Sequence, residues 1–178
     1  MLTKVNLERI DMSKLELITH LYEYNEWANK RLLDATAGLT DKQLASERGG
    51  SRGSLAENLA HLVNTQVGWS DVIAETDFTP QPPLPEREII AALRQRFAES
   101  HDRLRQITGG LTDESLAAVV HRERGGQIHG YPRWQMLMHL ANHGTQHRAE
   151  IGLSLLALDA SPGDLDAIYF FPDLGAEG

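Results

Sequence analysis

Four stretches of this chain carry apolar residues at the three- and four-residue steps of an α-helix, each bounded by residues that start or stop helices. A helix with one apolar stripe must bury it, and several such helices do so most economically against one another. The first stretch runs from about Ser13 to Ala37, with Leu17, Leu21, Tyr24, Ala28 and Leu32 in step and Gly38 as its stop. Ser13 and Glu16 have the spacing of a capping box, in which each side chain takes a free backbone N–H of the first turn. The second opens at Ser54, with Glu57 as box partner, and carries Leu55, Leu59, Leu62, Gln66, Trp69 and Ile73 to about Glu75. The third covers roughly Glu86 to Thr108 and stops at Gly109-Gly110. The fourth runs from about Pro132, which the first turn tolerates, to Leu158.

The connections are equally specific. Thr79-Pro80-Gln81-Pro82-Pro83-Leu84-Pro85 cannot continue a helix and makes a stiff connector suited to crossing a bundle end. Residues 119–131 read as a short β-hairpin turning at Gly125-Gly126. The expected architecture is therefore an all-α, up-down four-helix bundle, with a short β-hairpin before the last long helix. A length of 178 residues suits one domain spanning 1–178. Two marks repeat along it: Gly38-Leu39-Thr40-Asp41 returns as Gly110-Leu111-Thr112-Asp113, and His61-Leu62 returns as His139-Leu140. The tail after Pro162 carries Leu165, Ile168, Tyr169, Phe170 and Phe171, and is expected to pack.

Composition removes several functions. Seventeen Lys and Arg against 25 Asp and Glu leave a net charge of −8, the wrong sign for a protein that holds phosphate backbones, so no nucleic-acid partner is expected. Arg94, Arg96, Arg103 and Arg105 alternate with Glu99 and Asp102, the pattern of a solvated helix face. Apolar runs are too short to span a bilayer and the first residues do not resemble a signal peptide, so a cytoplasmic protein without membrane partners is expected. Cysteine is absent, which excludes disulfides, thiolate ligands and a cysteine nucleophile.

The eight histidines are the chemical lead, because three fall within His139-Leu140-Ala141-Asn142-His143-Gly144-Thr145-Gln146-His147. His143 and His147 lie one turn apart on one helical face, with Cβ atoms about 6 Å apart, so both can reach one divalent metal. They also interrupt the apolar stripe Leu137, Leu140, Ile151 and Leu155. Imidazoles buried there are costly unless paired or coordinated. Gly144 leaves room beside the pair for a ligand or a facing helix. It also stands where an HEXXH helix has its glutamate, so no general base comes with the pair. A further ligand must come from elsewhere; His20, His61, His101, His121, His129 and several carboxylates are open, and His61 lies at the edge of its stripe. His139 reads as a histidine bonded inside the bundle. Glu150, Glu57 and Tyr24 are the candidate general bases, with Glu150 read foremost as a solvated residue.

At four places in order the chain resembles the DinB-like family of bacterial four-helix-bundle proteins. These are Tyr24-Asn25-Glu26-Trp27-Ala28-Asn29-Lys30-Arg31-Leu32-Leu33; Gly53-Ser54 followed by His61-Leu62 and Trp69; Asn142-His143-Gly144-Thr145-Gln146-His147-Arg148; and Pro162-Gly163-Asp164-Leu165-Asp166. The resemblance implies a metal held by His61, His143 and His147, with nickel or zinc as the expected occupant and water at an open position. It also implies a homodimer. Many members carry a histidine where this chain has Gln146, a departure that alters the pocket and not the ligand set. Relatives include enzymes that attach low-molecular-weight thiols such as bacillithiol or mycothiol to electrophiles. A divalent metal ion with a thiol co-substrate and a small-molecule substrate is therefore expected. Metal-dependent hydrolysis and a non-catalytic, metal-stabilised dimeric stress-response module are the alternatives.

Overall fold

The computed structural model describes residues 12–46 and 51–171. The described chain is mainly helical: α1 (Lys14–Ala35), α2 (Asp41–Ala45), α3 (Leu55–Ala74), α4 (Ile89–Gly109), α5 (Asp113–Ala117), strands β1 (Val119–Arg124) and β2 (Gln127–Pro132), α6 (Arg133–Leu156) and a 3-10 turn at Ala167–Tyr169. The four long helices form the expected all-α bundle, and the hairpin stands before α6.

Local chemistry sets the element ends. Ser13 and Ser54 cap α1 and α3 with both halves of the capping box in place. The echoed marks prove to be one-turn helices, α2 and α5, capped by Thr40 with Gln43 and by Thr112 with Ser115. Helix α4 starts three residues later than expected, because Glu88 takes the left-handed conformation (φ 58°). Its first free N–H groups are capped from outside: Asp41 of α2 accepts from Glu88 N at 3.0 Å and Ile89 N at 3.1 Å. In the hairpin, Arg124 pairs with Gln127 around Gly125-Gly126, both at positive φ (61° and 76°), the conformation a two-residue turn demands.

Side-chain contacts define how the long helices run. Helices α1 and α4 are antiparallel, with Asn29 beside His101 and Asp34 beside Arg94. Helices α3 and α6 are antiparallel too, with His61 beside His147 and Ile73 beside Arg133. Helices α3 and α4 run parallel, with Asn64 on Arg96 and Asp71 on Arg103. One connection thus departs from a plain up-down order. Residues 75–88 do not cross a bundle end; they return along the α3–α4 groove. Asp71 accepts from Thr79 N at 2.7 Å, and the Pro82 carbonyl accepts from Arg96 at 2.9 Å. An extended proline segment covers such a length with few residues.

Two apolar cores fill the bundle. One gathers Leu32, Leu55, Leu59, Leu93, Phe97 and Ile151; the other gathers Ile18, Tyr22, Ile73, Leu104, Leu137 and Leu140. Between them lies a buried polar layer. Asn25 donates to Gln66 at 3.3 Å, Gln66 to Ser100 at 2.9 Å, and Asn29 meets His101 Nε2 at 3.2 Å. Arg148 donates to Asn25, to Asn29 at 3.2 Å and to Thr145 at 3.0 Å, with its guanidinium 5.4 Å from the Tyr24 ring centroid. Buried polar groups survive when partnered, and this network partners each of them.

That layer corrects two expectations. Ile18, Tyr22, Asn25 and Asn29 face inward from α1, and Leu17 is exposed, so the buried stripe is rotated from the purely apolar one. On α4, Arg96 and His101 are buried and Arg103 pairs with the buried Asp71 at 2.5 Å, so the arginine face is not simply solvated. The tail packs in part: Phe170 lies against Tyr24 and Trp27, whereas Ile168, Tyr169 and Phe171 are exposed. No helix among the described residues is long and apolar enough to cross a membrane.

Candidate metal centre

Helices α3 and α6 bring three imidazoles together beside the polar layer. Ring centroids lie 4.6 Å apart for His61 and His147, 5.5 Å for His61 and His143, and 4.3 Å for His143 and His147. One nitrogen from each ring falls within 4.8 Å of the other two, a group that can hold a metal ion. His147 is buried, and His61 and His143 are half-buried. The i, i+4 spacing on α6 supplies two rings; antiparallel packing of α3 supplies the third, which periodicity alone does not select.

The donor set fits a divalent cation. Ligating imidazoles must be neutral. Burial, followed by the neighbouring His147, lowers the pKa of His143 to about 4. Burial, followed by the Arg52 charge, lowers that of His61. His143 Nε2 sits 3.2 Å from His147 Nε2, and its Nδ1 is buried with no hydrogen-bond partner among the described residues. Beyond the cluster the ring meets His139, with centroids 5.9 Å apart. The Nδ1 of His147 faces Glu150 Oε2 at 3.3 Å, which leaves its Nε2 for the cluster.

Glu150 is accordingly not a free surface residue. Its carboxylate accepts from Ser51 Oγ at 2.7 Å and meets His147 Nδ1, and the Ser51 hydrogen bond holds its pKa below the usual range. A carboxylate on the outer nitrogen of a histidine fixes its tautomer and ring orientation, an arrangement common behind metal ligands.

The other candidates lie elsewhere. His139 is exposed, meeting the Trp69 ring edge-on at 4.7 Å, and is not bonded inside the bundle as expected. His20 pairs with Glu23, His101 belongs to the polar layer, and His121 and His129 sit on the hairpin. Gly144 faces α1, not the site: a Cβ there would meet Asn25 Oδ1 at 2.8 Å and Arg148 Nη1 at 2.9 Å. Glu57 is engaged by Ser54 N and Oγ at 2.8 and 2.7 Å, and the Tyr24 hydroxyl donates to the Leu165 carbonyl at 2.9 Å. All three candidate bases are thus committed to other partners.

Sequence reasoning missed Arg52, whose Nη2 lies 3.4 Å from His61 Nε2, and the buried Arg96 across the same cleft. It also missed the polar layer. The available signal was Asn25, Asn29, Gln66 and Arg148 standing at core-facing positions of their helices.

The model of the DinB family matches residues 1–169. "Protein DinB" of Bacillus subtilis (strain 168) is 21% identical over 166 residues, which cover 85% of this chain and 92% of that protein.

Proposed function

The chain belongs to the DinB family, and from that premise we propose that His61, His143 and His147 hold one divalent metal ion, nickel or zinc, for the transfer of a low-molecular-weight thiol to a small electrophile. The observation that carries the reading is the convergence of three ring nitrogens within 4.8 Å, beside a cleft that opens at His61. Such an ion, when bound, supplies Lewis acidity and lowers the pKa of a thiol below its free value of about 8.5. Imidazole suits nickel and zinc alike.

The chain's own residues support the thiol reading over hydrolysis. Activating water for hydrolysis gains from a positioned general base, and Glu57, Glu150 and Tyr24 are each held by another group. A thiol is far more acidic than water and does not depend on such a base. The chain has no cysteine, so the sulfur arrives with a co-substrate. Glu150 keeps His147 in the tautomer that presents Nε2, and burial keeps His143 neutral. The same reading carries a cytoplasmic homodimer, to be checked by sedimentation.

The test is metal-loaded protein incubated with bacillithiol or mycothiol and a panel of electrophiles. Turnover that depends on metal and disappears in His143→Ala supports the proposal. Turnover equal in the wild type and His143→Ala, or none with any thiol, overturns it.

A further inference from the structure

We propose that the cleft beside His61 is an anion subsite, in which Arg52 and Arg96 seat a carboxylate or phosphate group of the substrate whose other end reaches the three histidines. The inference rests on the metal-site reading and adds the substrate class to it.

The cleft has a volume of about 540 Å³ and is lined by His61, Arg52, Arg96, Asn64 and Glu57, with the proline segment as its far wall. Arg96 is only 8% exposed, yet among the described residues its hydrogen bonds go to neutral acceptors alone: Asn64 Oδ1 at 3.0 Å and the Pro82 carbonyl at 2.9 Å. Two hydrogen bonds leave a guanidinium with three of its five N–H donors unused. Burying a guanidinium whose hydrogen bonds reach no carboxylate is costly; the nearby Glu99 charge offsets that cost only in part, and an arriving anion recovers more of it.

Arg52 is the second cation. Among the described residues its single hydrogen bond is to His61 Nε2 at 3.4 Å, and it forms no ion pair there. A guanidinium 3.4 Å from His61 Nε2 works against any cation on the histidines. An anion between them reverses the sign of that interaction. Arg52 is exposed and able to swing from His61 into the cleft, where a planar fork matches two oxygens of a carboxylate or phosphate.

The one carboxylate in the lining does not cancel this pair. Glu57 sets one negative charge against two guanidiniums, and its Oε2 is turned to Ser54 N and Oγ at 2.8 and 2.7 Å. The lining therefore keeps an excess of positive charge in a chain of net charge −8.

The experiment is calorimetric titration of zinc-loaded and zinc-free full-length protein with 3-mercaptopropionate, 2-mercaptoethylphosphonate and neutral 3-mercaptopropanol. The zinc-loaded protein is expected to bind at least one anionic thiol about tenfold more tightly than the neutral one, the scale of one charge-assisted hydrogen bond. Comparison of the two anionic arms identifies carboxylate or phosphate as the preferred group. Arg52→Gln and Arg96→Gln should each abolish the preference while zinc content stays unchanged; Arg52→Gln lies at the surface and keeps the test valid if Arg96→Gln fails to fold. Equal affinity for anionic and neutral thiols, or a preference that survives Arg52→Gln, overturns the proposal. If the protein takes up no zinc yet still prefers the anionic ligands through Arg52, the metal reading fails and the subsite stands.

Discussion

The ring of His61 on α3 meets the ring of His147 on α6 edge-on, with centroids 4.6 Å apart and planes at 79°. The two helices run in opposite directions, so this contact exists only when the bundle is assembled. His147 is anchored from behind by Glu150, and removing that carboxylate frees the ring to rotate and to change tautomer. We expect Glu150→Ala to weaken zinc binding by about 10- to 100-fold, the range typical of partners behind a ligand. His139→Ala should change the affinity far less, because His139 meets Trp69 edge-on and reaches His143 only through a ring contact at 5.9 Å. Competition against a chromophoric chelator measures both.

Two glycines of α6 should respond oppositely to alanine. At Gly144 a Cβ would press on Asn25 Oδ1 at 2.8 Å and Arg148 Nη1 at 2.9 Å, both locked in the buried polar layer. Gly144→Ala should destabilise the protein by about 1–3 kcal/mol, the usual cost of overpacking. At Gly152 a Cβ meets nothing within 4 Å, so Gly152→Ala should stabilise by about 0.5–1 kcal/mol through helix propensity alone. Urea denaturation of the two variants provides the comparison.

Acid should weaken the fold through His101. Burial lowers its pKa from 6.5 to about 4, an effect set against the raising influence of Glu26 and Asp102 and joined by Arg105 and Arg148. Between those two values the unfolded chain takes up a proton that the folded chain refuses, so stability rises with pH through the window. The contribution is complete above pH 6.5 and is lost as pH falls toward 4. Melting temperatures at pH 7 and pH 4.5 should differ less in His101→Gln than in the wild type.

What the sequence made legible follows from the range of each interaction. Capping boxes at Ser13–Glu16 and Ser54–Glu57 act over three residues, and both helix starts were readable from them. The start of α4 was not, because Asp41, 47 residues before Glu88, supplies its cap. Residues 119–131 announced the hairpin through Gly125-Gly126. His143 and His147 were readable as a pair from their spacing, whereas His61 required the resemblance. Arg52 carried no periodic signal, and Arg96 looked solvated until the proline segment folded over it. Glu150 looked like a surface residue because Ser51, its partner, lies 99 positions away.

Elemental analysis of protein purified without added metal, in the wild type and in His61→Ala, reads the three-histidine metal centre itself. About one nickel or zinc ion per wild-type chain is expected, lost from a variant that remains folded. A wild-type chain without stoichiometric transition metal, or a His61→Ala chain that keeps it, would mean that His61, His143 and His147 do not hold a metal together.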